Sequence, residues 1–168
     1  MKFRIIAAVA IAAGVALGTS GCNVIQPQAT TKSYNASDGV AVTVGSINLQ
    51  DLIVLSNDGK LASLLLTAVN TTTADKTLTI NYVSAGVNHT KSIVVPVNEH
   101  VGTTWGGHGD PQIILDQIAT APGSMMEISF SVDGATQSTL IPVLTTAQPE
   151  YKGLEPLAPA TVTAAPTN

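Results

Sequence analysis

Between Gly39 and Thr145 the chain is a succession of short β-branched runs, each closed by a Gly, Asn or Asp turn signal, with no long helical period among them. "VAVTVGSINLQDLIVLS" alternates, and "NDG" at Asn57–Gly59 then reads as a hairpin turn into "KLASLLLTAVN". "TTTAD" turns again. "KTLTINYVS" puts Leu78, Ile80 and Tyr82 on one face, because successive strand side chains point to opposite sides. "AGVNH" turns into "TKSIVVPV", where Pro96 pushes the strand towards a sheet edge, since proline cannot donate to a ladder. "MMEISFSV" alternates Met126, Ile128 and Phe130, "DGATQ" turns, and "STLIPVL" closes the series.

About seven to nine strands with no long helix predict an all-β fold. The expected architecture is a single antiparallel immunoglobulin-like or cupredoxin-like β-sandwich over residues 38–147. Residues 22–37 are polar and read as a flexible tether. Residues 148–168 are rich in Pro, Thr and Ala and read as a disordered C-terminal tail.

The first 21 residues have another character. Lys2 and Arg4 precede the uncharged run "IIAAVAIAAGVAL" from Ile5 to Leu17, and the small residues "GTSG" lead to Cys22, the chain's one cysteine. That order is a secretory signal, too short for a permanent membrane span. "Thr19-Ser20-Gly21-Cys22" looks like a bacterial lipobox, with Thr19 where an aliphatic residue is usual. It implies cleavage after Gly21 and a diacylglyceryl thioether on Cys22, which would hold the protein to the outer face of the cytoplasmic membrane. A lone cysteine allows no disulfide within the chain.

Charge narrows the partners. Only 11% of the residues are charged, and without residues 1–21 there remain five Lys and no Arg against eleven acidic residues. The resulting charge of about −6 disfavours nucleic acid, whose phosphates need clustered cations. The expected partners are the cell membrane, through the lipid anchor, and a protein or glycan met by neutral or apolar surface.

Three histidines, His89, His100 and His108, accompany Met125 and Met126. Imidazole with thioether suits Cu(I), which makes His100, His108 and Met125 the candidate ligands. Against copper, the neighbouring methionines face opposite ways on a strand, and no compact ligand spacing appears. No resident metal is expected, with copper binding as the alternative. "Trp105-Gly106-Gly107-His108-Gly109-Asp110" is a candidate ligand-contact loop through Trp105 and His108, because glycine admits close backbone approach and tryptophan offers a flat face. The same residues fit a core tryptophan followed by a glycine turn, and that reading weighs more. Catalysis finds less support. Asp110 and Asp116 are a conceivable pair, but no Gly-x-Ser-x-Gly, His-Glu-x-x-His or P-loop occurs. The expectation is a non-catalytic protein.

The block "CNVIQPQATTKSYNASDGVAVTVGSINLQDLIVLSNDGKLASLLLTAVN", with "STLIPVL" and "PEYKGLEP", resembles small lipoproteins of high-GC Gram-positive bacteria. These are more distantly similar to periplasmic copper chaperones with a cupredoxin-like sandwich. That likeness implies a Cu(I) site built on a His/Met motif, whose His-x-Met end is missing here. Some relatives carry a DNA-methylase label. This chain has neither a Gly-rich cofactor loop after a parallel strand nor an Asp/Asn-Pro-Pro-aromatic motif to match it.

Overall fold

The computed structural model describes residues 2–19, 37–97 and 101–157, in two compact units. The first holds helix α1 (Lys2–Thr19). Ile5, Ile6, Val9 and Ile11 are all exposed on it, so the helix is apolar around its circumference rather than along one packing stripe. No described helix is long and apolar enough to cross a membrane.

The second unit is all β. Its strands are β1 (Val40–Val44), β2 (Ile47–Leu55), β3 (Ala62–Asn70), β4 (Lys76–Ser84), β5 (Val87–Val95), β6 (Thr103–Trp105), β7 (Ile113–Leu115), β8 (Met125–Val132) and β9 (Ala135–Leu144). They follow one path, β5-β4-β8-β9-β2-β3-β6, with β1 on β2 and β7 on β3. The path curls into a sandwich-like body whose two layers bury a shared core, including Leu49, Leu64, Ile80 and Phe130.

The antiparallel expectation holds for every described pairing except one. The end of β9 runs parallel to β2, through Val54↔Val143 and Leu55↔Leu144. Pro142 explains where β9 changes partner. It ends the β8 ladder opposite Met125, one residue before the β2 pairing begins, and it has no N–H to donate at that junction. Val143 N–H then donates to Ser124 O, and Ser56 N–H donates to Leu144 O.

Turn chemistry matches the sequence. Ala85–Gly86 and Asp133–Gly134 are two-residue turns with positive φ at both positions, the geometry whose twist suits a tight hairpin. The turn in "AGVNH" is only its first two residues, and Val87–His89 already belong to β5. At "NDG", Asp58 Oδ1 accepts from the N–H groups of Lys60 and Leu61 at 2.8 and 3.1 Å, which holds its carboxyl below the ordinary range. β5 is an edge strand, as Pro96 suggests.

β2 departs from simple alternation. Ile47 and Leu49 face the core, but so do Leu52 and Val54. The parity changes at a bulge between Gln50 and Ile53, where Asp51 takes a φ of 54°. The chain entering β1 crosses close above: a Cβ on Gly39 would lie 2.6 Å from the Asp51 carbonyl carbon, so only glycine fits. Beyond the bulge Ile53 and Leu55 point to the outer face, where they would meet water unless covered.

Tyr151 and Leu154 cover them. With Leu65 and Leu144 these residues form a second apolar cluster. The Pro/Thr/Ala-rich tail expected from residue 148 is thus corrected over 148–157, which is packed on the domain as a strap around a 3-10 turn (Pro149–Tyr151). Composition hides this because a segment this short docks with two apolar side chains. Residues 158–168 lie outside the described residues.

The bulge yields a sharp expectation for urea unfolding. Deleting Asp51 removes the extra residue and leaves Leu52 and Val54 inward in simple alternation, so the cooperative transition survives. Inserting one alanine after Leu52 instead turns Ile53 and Leu55 inward and Val54 outward, and abolishes it. Asp51→Gly keeps the positive φ and stays within about 1 kcal/mol of the parent. An insertion variant as stable as the parent would contradict the facing assigned to β2 beyond the bulge.

Candidate functional site

A cleft of about 510 Å³ lies on the outer face of β2 and β3, between β6 and the strap. Ile53, Leu65, Trp105 and Tyr151 give it apolar walls, while Asp38, Asp51 and Glu150 add carboxylates. Among the described residues no Lys or Arg lines it.

Each wall has a local cause. The Asp51 bulge turns Ile53 outward and puts a carboxylate beside it. Trp105 ends β6 opposite Leu66 and is largely buried in the main core, with one part reaching the cleft. The next residue, Gly106, has a φ of 80°, and a Cβ there would sit 2.9 Å from Leu64 O. Glycine therefore lets the loop lie directly on β3. Gly106 N–H donates to Pro111 O at 2.9 Å, closing the loop on itself.

The loop is tied to the strap by three contacts. His108 Nε2 lies 3.0 Å from Lys152 O, Gln112 Nε2 donates to Glu155 O at 3.0 Å, and Leu157 N–H donates to Gln112 Oε1 at 2.9 Å. On the opposite rim the Tyr151 hydroxyl donates to Asp38 Oδ2 at 2.9 Å. Burial first, then this contact with Asp38, pushes the Tyr151 phenol up to about 12.

The structure separates the residues singled out from sequence. Trp105 belongs to the core and also lines the cleft. His108 pins the strap and does not line the cleft. Met125 is half-exposed at the start of β8 and borders a different hollow of about 380 Å³ with Asn81 and Glu127, while its neighbour Met126 is buried. Cys22 and His100 lie outside the described residues.

His89 is not in a surface loop, as the turn pattern suggests, but on β5. There it stacks on Tyr82 with ring centroids 4.9 Å apart, its Nε2 enclosed without a hydrogen-bond partner. Asp116 pairs with Lys91 at 2.9 Å, while Asp110 closes the glycine turn, its N–H donating to Gly107 O at 3.2 Å. Among the described residues no group of three or more His, Cys, Asp or Glu could hold a metal ion.

Sequence reasoning misses Asp38, Asp51, Glu150 and Tyr151. The signals for them are faint: a lone Asp inside the apolar run "NLQDLIVL", and one Tyr and two Leu inside a Pro-rich segment. No family model and no curated protein matches this chain.

An alkaline titration checks the strap contact. The phenol of Tyr151 is raised on folding, so its neutral form is favoured in the folded protein. The associated stability is complete below pH 10 and is lost as pH rises towards 12. Tyrosinate absorbance should show a late step near pH 12 that Tyr151→Phe removes. A Tyr151→Phe profile identical to the parent's would refute the assignment.

Proposed function

We propose that the chain is an extracytoplasmic lipoprotein, acylated at Cys22 and held on the outer face of the cytoplasmic membrane. Its β domain acts as a non-catalytic binding module for a protein or glycan partner. The observation that carries the binding part is the cleft of about 510 Å³, a size within the roughly 300–1,000 Å³ range of ligand sites. Its apolar walls offer contact area, and its few polar groups offer orientation. The anchoring part draws on the order of n-region, apolar run, small residues and Cys22. Two acyl chains give stable attachment where one gives only marginal binding.

A non-catalytic role agrees with how the candidate reactive groups are used. Asp58 caps its own turn, Asp116 neutralises Lys91, and the Tyr82 hydroxyl both donates to Asp116 O and accepts from Asp116 N–H. Each is committed to structure. The charge balance also disfavours DNA as a substrate, since phosphate contacts need cations that this chain spends elsewhere.

The test is metabolic labelling with a radiolabelled palmitate in a Gram-positive host. The parent chain is expected to carry label and to sediment with membranes. Cys22→Ser is expected to carry none and to leave the membrane fraction. A parent chain that stays unlabelled and appears free in the medium would overturn the anchoring.

A further inference from the structure

Cations are scarce in this chain, and where the structure spends them identifies what the cleft lacks. Lys76 pairs with Asp133 at 2.6 Å and Lys91 with Asp116 at 2.9 Å, and none of these four residues lines the cleft. None of Asp38, Asp51 and Glu150 is in an ion pair among the described residues, although all three line one apolar-walled cleft. Carboxylates that share a cleft with apolar surface and have no cationic partner there attract a bound cation.

The missing charge is organic rather than metallic. Among the described residues the carboxylates are not grouped to ligate an ion, and Ile53, Leu65 and Tyr151 between them are surface that a hydrated metal would leave uncovered. Long basic side chains match both halves of the site, because Lys and Arg bury their methylene stems on apolar surface while the charged head stays at the polar rim. The aromatic ring of Tyr151 adds a face on which a guanidinium can stack. Thr67, Thr104 and the backbone of Gly107 are also on the walls, where they offer hydrogen bonds to peptide groups.

We infer that this cleft takes a basic side chain of a partner protein, an arginine or lysine carried beside apolar residues. The inference rests on the reading of the domain as a binding module and names what that module recognises.

The test uses the full chain in a non-ionic detergent, with binding read by isothermal titration calorimetry. The probes are N-acetyl-Leu-Arg-Leu-amide and its Gln and Glu counterparts. Expected is saturable binding of the Arg probe alone, weakened about tenfold between 0.05 and 0.5 M salt because exposed ion pairs are screened. The double variant Asp51→Asn, Glu150→Gln should weaken it about fivefold further, the scale of exposed charge pairs. Thr67→Trp fills the cleft without altering charge and should abolish binding while the circular dichroism stays that of the parent.

Equal binding of the Arg and Gln probes, both lost in Thr67→Trp, overturns the cationic preference while leaving the cleft a binding site. Arg-probe binding that survives Thr67→Trp places the contact elsewhere and overturns the assignment. So does the absence of binding by any probe, whereas the anchoring of the chain is read separately, from palmitate labelling.

Discussion

The arrangement depends on one residue inserted into β2. Strand side chains alternate with a period of two, so a single extra residue absorbed in a bulge changes which parity of the sequence faces the core after it. The Asp51 bulge does this halfway along β2, and the strand therefore serves two apolar clusters rather than one. Its first half gives the core Ile47 and Leu49, and its second half gives the core Leu52 and Val54 while Ile53 and Leu55 turn outward. An outward Ile and Leu demand cover, cover requires the strap, and the strap forms one wall of the cleft. A left-handed φ at an aspartate costs less than at most residues, since Asp tolerates that region, and the position also sets a carboxylate on the cleft wall.

The same economy appears where β9 joins the two layers. A single strand pairs with β8 along most of its length and with β2 at its end, which makes one continuous path of seven strands, with β1 and β7 beside it, and leaves β5 as a terminal edge. Edges invite pairing with other chains. Here Lys91 places a cation on that strand and Pro96 follows it, both devices that discourage further pairing. The core needs no such protection, because Phe130, Ile128 and Leu64 are fully enclosed, each contributing roughly 1.5–3 kcal/mol by removal from water.

How far the fold was legible follows from which signals are local. The turns at Asn57–Gly59 and Asp133–Gly134, the alternation of Leu78, Ile80 and Tyr82, and that of Met126, Ile128 and Phe130 are written within a few residues and are found there, although Ala135–Gln137 of "DGATQ" already belong to β9. The parallel β2–β9 pairing is not local: it joins Val54 to Val143, and the hydrophobic pattern of each strand is the same whichever direction its partner runs. The bulge is also hidden, because "NLQDLIVLS" reads as an alternating strand that merely becomes more apolar. His89 was obscured by a turn signal that needed only Ala85 and Gly86.

The cleft was less legible still, since its carboxylates come from Asp38, Asp51 and Glu150, spread over most of the domain. What unites them is the hydrogen bond from the Tyr151 hydroxyl to Asp38 Oδ2, which fastens the first residues of the domain to the strap. That bond links chain entry, strap and cleft in one unit. The strap is in turn fixed to the glycine-containing loop by His108 and Gln112, so the two walls facing each other across the cleft are not independent. A ligand that moved the strap would strain the Asp38 contact and the loop together, and a rigid, already formed cleft costs a partner less ordering on binding. The sequence motif first suspected of touching a ligand, Trp105 to Asp110, thus acts mainly by holding another segment in place. Its tryptophan anchors the loop in the core, and its histidine sets the position of the strap whose tyrosine forms the cleft wall.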